Sequence, residues 1–253
     1  MYFDGSEGAD VPYGIHVASA QYKVVSRMNE PPLFTEGAAK AHFDWDFLCG
    51  ANAFDQFAPE EFKPMIVKWP QFEAPLMRQN FSRLNFGWWG IWLPGSKLRN
   101  GTVTIGTQMD MWEFGTSRAA AWDCPTTAKF HLANCRKHPR LDDLREVMRR
   151  WEDVRAKGWL TPAQKEMLKS STQEHHLYLN EKGEYELYPI EMLPSPDKAK
   201  AVRAFLFTRG GKRMLAYWHT SGAGKMSIAL GVGGARETVA VDKLRYLEND
   251  LSV

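Results

Sequence analysis

Short apolar runs alternate with longer mixed segments over the first half of the chain. Residues 1–4, 32–36, 86–93, 102–107 and 119–128 are the strand-like runs. The run Phe86-Gly-Trp-Trp-Gly-Ile-Trp-Leu93 is hydrophobic almost throughout. Such continuity suits a parallel strand covered on both faces. Residues 14–28 have the length of a crossover helix. A further helix fits 59–83, where Pro64, Pro70 and Pro75 interrupt it. Residues 110–122 read as a helix feeding the next strand. Strand, crossover and strand in this order predict βαβ units and a parallel sheet.

The period then lengthens. Leu141, Leu144, Val147, Met148, Trp151 and Val154 recur every three or four residues and form one apolar helix face, ended by Gly158. Thr161-Pro162-Ala-Gln164 combines a capping hydroxyl, a first-turn proline and an amide three residues on, so a second helix starts there. From residue 174 the period drops to two. The runs 176–179, 184–188, 204–207, 214–218 and 226–230 are separated by turns at Lys182-Gly183, Gly210-Gly211 and Gly222-Ala-Gly224. They predict an antiparallel module, a small β-sandwich with a hairpin around Gly210-Gly211. The expected organisation is a barrel-type α/β domain over 1–135, a helical connector over 136–172 and a β-sandwich over 173–253.

Composition narrows the function classes. Of the 253 residues, 44% are hydrophobic, enough for a real core, and 25% are charged, which argues against disorder. A net charge of +2 with no basic stripe argues against a nucleic-acid partner. No apolar run is long enough to span a membrane. The chain shows no signal-peptide pattern, so cytoplasm is the default location unless sequence upstream says otherwise. Cys49, Cys124 and Cys135 are odd in number and irregular in spacing, which predicts reduced thiols rather than disulfides or zinc. No cofactor is expected, and no metal motif is present. Ten Trp, eight Tyr and fourteen Phe suit either a core or the stacking surfaces of a sugar site.

Two strand-like runs stop at a carboxylate followed by glycine: Tyr-Phe-Asp4-Gly5 and Leu-Phe-Thr-Glu36-Gly37. Carboxylates at the C-terminal ends of adjacent parallel strands point into one cleft. Two acids flanking a sugar are what glycosidic-bond hydrolysis requires. Either acid can equally cap the N-terminus of a helix. Glu7 is the rival of Asp4 in the same loop. His42, Asp44 and Asp46 follow Glu36 and can bind sugar hydroxyls or belong to a solvated loop. Trp89 and Trp92 can floor a sugar subsite or fill the core. Asp110 can bind hydroxyls or cap the helix it begins, and Asp123 can bind substrate or a neighbouring N–H. Gly231-Val-Gly-Gly234 lacks the Lys-Ser/Thr of a phosphate loop and reads as a β-turn.

Tyr-Phe-Asp4-Gly5, Thr-Glu36-Gly37 and Ser117-Arg-Ala-Ala-Ala-Trp122-Asp123, in this order and followed by a β-module, resemble the C-terminal half of a (β/α)8-barrel glycoside hydrolase of the α-fucosidase-like type. The resemblance covers most of the chain and implies Asp4 as nucleophile, Glu36 as general acid/base and a carbohydrate substrate. A whole barrel needs eight strands and roughly 200 residues or more. The resemblance therefore implies a fragment without its N-terminal half-barrel. Such a fragment would cover its open edges by self-association or by pairing with an upstream half. The alternative is a carbohydrate-binding or structural remnant without turnover.

Overall fold

The structure is a computed structural model. It describes residues 1–3, 14–33, 35–37, 50–52, 58–68, 83–86, 88–98, 100–129, 131–169, 172–195, 201–222, 225–230, 235–240 and 245–249. The chain forms two compact units. The first comprises Met1–Phe57, Pro64–Gly90 and Trp122–Lys129; the second comprises Ala58–Lys63, Ile91–Ala121 and Phe130–Val253.

Parallel pairing characterises the first unit. Strands β1 (Tyr2–Phe3), β2 (Glu36–Gly37), β3 (Gly50–Asn52) and β4 (Arg83–Asn85) lie in that order, each parallel to the next. Parallel neighbours need a crossover connection. Between β1 and β2 it contains helix α1 (Gly14–Ser26), as the 14–28 segment predicts. Helix α2 (Pro59–Lys68) lies between β3 and β4 in the chain and runs through Pro64 rather than stopping there. A separate parallel pair joins β5 (Trp88–Gly90) to β6 (Thr127–Lys129). The fold is therefore mixed α/β with open parallel sheets; the described strands do not close into a barrel.

Two expected strands take other forms. Residues 102–107 form a loop joined to the segment before it by the single bridge Lys97↔Val103. Backbone bonds from Thr104 N to Ser96 O and from Thr107 N to Trp92 O close it. Gly106 has φ +75, and a Cβ there would meet Pro94 N at 2.5 Å. Only glycine fits this approach without a shift, and the tightness of the loop prevents a regular ladder. In the 119–128 run, residues 119–122 complete helix α3 (Met109–Trp122). Three consecutive alanines favour the helix over a strand. Asp123 at φ 53 then turns the chain left-handed, and Pro125 follows. A left-handed residue with a proline close behind is a common helix stop.

From residue 132 onward the second unit follows its sequence pattern closely. After α4 (Leu132–Lys137), helix α5 (Leu141–Ala156) buries Leu144, Val147, Trp151 and Val154. Gly158 follows it at φ 60. Helix α6 (Pro162–Leu168) starts with the full reciprocal cap: the Gln164 N–H donates to the Thr161 hydroxyl, and the Thr161 N–H donates to the Gln164 side chain. Strands β7 (Glu174–Leu179), β8 (Tyr185–Leu193), β9 (Val202–Arg209), β10 (Lys212–His219) and β13 (Arg245–Asn249) form an antiparallel sheet in the order β13-β10-β9-β8-β7. Strands β11 (Lys225–Leu230) and β12 (Ala235–Ala240) make a separate two-stranded ribbon. Gly210 and Gly211, at φ 57 and 79, turn β9 into β10 with Arg209 opposite Lys212. Positive φ at both central residues matches the twist of a two-residue hairpin. Fully buried Trp151, Trp218, Phe205, Leu144, Leu168 and Leu177 form much of this unit's core.

Candidate functional site

Of the two lead acids, Glu36 is described. It lies on β2 opposite Tyr2 of β1, 8% exposed, and its N–H donates to Met1 O at 3.0 Å. Asp4, Glu7, His42, Asp44 and Asp46 lie outside the described residues. Trp89 is fully buried and its indole N–H donates to Phe86 O at 2.8 Å. Trp92 is half-buried, and its backbone N–H donates to the Thr107 hydroxyl at 2.9 Å. Asp123 is the half-buried left-handed residue after α3.

Asp110 belongs to a buried polar cluster in the second unit. Helix α3 has no solvent face: Met109 through Ala121 are all buried. Its polar side chains must therefore find partners inside the protein. Asp110, in the first turn, accepts from Arg203 Nε on Oδ1 at 2.8 Å and from Arg203 Nη2 on Oδ2, and Lys63 Nζ lies 2.8 Å from that same Oδ2. The same ammonium donates to both Glu174 oxygens, at 2.9 and 2.7 Å. One lysine thus bridges two carboxylates. Burial alone would push both carboxyls up. At Asp110 the charges of Arg203 and Lys63 outweigh it and hold the carboxyl well below the usual range. At Glu174 burial wins over Lys63, with Asp110 adding to the upward push. Neighbouring acids driven in opposite directions are the raw material of acid–base chemistry. Here, however, the Asp110 oxygens are taken by two cations, so the geometry is that of an ionic clamp joining residues of α2, α3, β7 and β9.

One turn further along α3, Glu113 makes a second cluster. Its Oε1 accepts from Trp151 Nε1 at 3.1 Å and from Leu177 N at 2.8 Å, and its Oε2 meets His176 Nδ1 at 2.8 Å. Arg118 lays its guanidinium on the Phe114 ring at 3.4 Å and donates to the Phe114 and Gln173 carbonyls. Burial draws its pKa down to about 10. Gln108 accepts from Trp218 Nε1 at 3.0 Å. Sequence reading did not assign Lys63, Glu174, His176 or Arg203 to any site. The available signal was spacing. Asp110 and Glu113 are three apart on a helix, and Glu174 and His176 share one face of a strand.

His138 is a buried titratable group at the start of the helical segment. Arg140 N donates to its Nδ1 at 3.1 Å. Burial pushes its pKa down to about 4 against the pull of the Thr107 and Trp92 carbonyls. An unfolded histidine titrates near ~6.5, so over the intervening range the unfolded chain binds a proton that the folded chain does not. Stability therefore falls as pH drops through that window. The His138→Gln variant should flatten the slope, read as the shift in urea midpoint between about pH 7 and about pH 5. A slope equal to that of the wild type would remove His138 as its source. His175, also held down chiefly by burial, leaves a remainder in either case.

Among the described residues no group of three or more His, Cys, Asp or Glu is placed to hold a metal, and no helix is long and apolar enough to cross a membrane. No protein-family model and no curated protein matches the chain. Two solved structures superpose on it at low similarity. One is AmyP in complex with maltose, at TM-score 0.28 and 10% identity, covering 100% of this chain and 64% of that one. The other is an AmyP variant in complex with maltotriose, at TM-score 0.27 and 9% identity, covering 99% and 64%. The chain thus spans under two thirds of the length of either neighbour. A superposition at this level assigns neither fold nor chemistry.

Proposed function

We propose that this chain is part of a carbohydrate-active enzyme, a glycoside hydrolase in which Asp4 and Glu36 are the working carboxylates on a partial barrel followed by a β-sandwich. The supporting observation is Glu36 itself. It is an 8%-exposed acid on the parallel neighbour of β1, and the chain leaving β1 continues directly into Asp4. In the proposed reaction Glu36 protonates the departing glycosidic oxygen while Asp4, ionised, attacks the anomeric carbon. Water then releases the sugar, with Glu36 acting as base.

Hydrolysis of an aryl-glycoside panel tests this. Glu36→Gln should lower kcat by roughly 10²–10⁴-fold, with a smaller loss on substrates whose phenol leaves without protonation. Asp4→Asn should abolish turnover on all of them. Turnover surviving in the double variant would overturn the assignment. A second reading, a structural remnant without turnover, is favoured by the internal satisfaction of Trp89 and Asp110, two candidate sugar contacts whose polar atoms are committed within the protein. No hydrolysis of any panel member by the wild type would select it.

A further inference from the structure

The open end of the five-stranded sheet carries a second arrangement, independent of the acid pair. Period-two alternation brings Tyr178 of β7, Glu186 and Tyr188 of β8, Phe207 and Arg209 of β9, and Met214 of β10 to one region beside the Gly210-Gly211 turn. Tyr178 pairs across the strands with Glu186, and Phe207 with Met214. The Tyr188 and Tyr178 rings pack 5.3 and 6.1 Å, centre to centre, from buried Phe207. Beside Tyr188 is a concavity of about 470 Å³ lined by Glu186, Tyr188, Arg209, Gly210, Lys212 and Met214. That volume falls within the range of small-ligand sites.

One carboxylate organises the rim. Glu186 accepts from Arg209 Nε at 2.8 Å, from Arg209 Nη2 at 3.1 Å, from Asn180 Nδ2 at 2.7 Å and from the Tyr188 hydroxyl. Arg209 also lies 4.8 Å from the Tyr178 ring centre. The Glu186 and Arg209 side chains are 25% and 29% exposed, so water would satisfy both without any of this. Ion pairs at such exposure add little stability. The effect of four donors on one surface carboxylate is instead to fix a tyrosine ring and a guanidinium plane. A rigid aromatic face with planar donors beside it lowers the ordering cost of binding a ligand. The donors hold the Glu186 carboxyl down at about 2, so the arrangement persists across the ordinary pH range.

We infer that this concavity is a saccharide-binding site for a neutral sugar ring, which lays its C–H face on Tyr188 and presents its hydroxyls to Arg209. Neutrality follows from the charges. Arg209 and Lys212 are balanced by Glu186 and by Glu181, which lies 3.6 Å from Arg209. The site requires no hydrolysis and does not depend on Asp4 or Glu36.

Titration of the ¹⁵N-labelled chain with maltotriose, cellotriose and a uronate trisaccharide tests it, in the wild type and in the Asp4→Asn/Glu36→Gln variant, where turnover is blocked. A neutral trisaccharide should shift the amides of residues 178–188 and 207–214 with millimolar affinity, equally in both proteins. Tyr188→Ala should weaken binding about tenfold or more, while Tyr188→Phe, which keeps the ring but loses its anchor on Glu186, should weaken it less. Arg209→Ala, a surface change that spares the core, should weaken it similarly. Shifts confined to other residues, unchanged affinity in both Tyr188→Ala and Arg209→Ala, or preference for the uronate would overturn the inference. Failure here leaves aryl-glycoside hydrolysis unaffected, and absent hydrolysis leaves these shifts in place, so the two readings fail separately.

Discussion

Asp110→Ala is expected to lower the unfolding free energy by roughly 3–5 kcal/mol, the loss typical of removing one partner from a buried ion pair. The Asp110 side chain is completely buried, whereas Lys63 and Arg203 keep about a fifth of their side-chain surface exposed. Lys63 retains Glu174, but Arg203 loses both of its bonds to the carboxylate. The lower end of the range is therefore the better expectation, and urea unfolding followed by tryptophan fluorescence measures it. The effect carries a pH signature. Because the folded Asp110 carboxyl is held below its ordinary value, its contribution is full above about pH 3.9 and is lost as pH falls through the folded value. The gap between wild type and Asp110→Asn should close on acidification. A gap independent of pH, or a loss below about 0.5 kcal/mol, would mean that the clamp does not hold the fold together.

Glu113→Ala should cost as much, roughly 3–5 kcal/mol, for a different reason. Three groups lose their acceptor together: the Trp151 indole, the Leu177 amide and the His176 ring. Trp151, Leu177 and His176 are themselves buried, so no water replaces the carboxylate without a cavity to hold it. Glu113→Gln separates shape from charge. Its amide oxygen can still accept from Trp151 and Leu177, while its amide nitrogen must donate where Oε2 accepted. That requires His176 to present an unprotonated Nδ1. The glutamine variant should therefore recover more than half of the alanine loss in thermal unfolding. Equal losses for the two would place the importance of Glu113 in its charge alone.

The sequence revealed the chain beyond residue 131 far better than the part before it. Helices α5 and α6 and the β9–β10 hairpin announce themselves through local chemistry: a 3–4 apolar period, a reciprocal cap and a double glycine. Each is decided by residues within one or two turns, so a linear reading suffices. The helix over 110–122 was legible; the strand reading of 119–128 overlapped its last turn, where the alanines favour the helix, and the strand starts only at Thr127. The loop at 102–107 misled for a tertiary reason: the approach of Gly106 to Pro94 cancels a respectable strand pattern. The sequence run 32–36 placed Glu36 at a strand end, whereas in the structure the strand begins at Glu36. Lys63, Asp110, Glu174 and Arg203 come from four elements spread over 140 residues of sequence, as Lys63 and Arg203 mark its ends. No short window contains them, and Asp110 read as either a hydroxyl-binding or a helix-capping acid because only its neighbours in the chain were visible.

Helix α3 has one further consequence. A helix on the surface of a protein keeps a side on which substitutions go unnoticed, and drift accumulates there. From Met109 to Ala121 this one has no such side, since every position touches something. Its two acids are as constrained as its apolar residues, because Asp110 and Glu113 each answer specific donors or cations elsewhere in the chain. Variation at the two acids must therefore come as paired changes, Asp110 with Arg203 or Glu113 with His176, because a single exchange there leaves a buried partner unanswered.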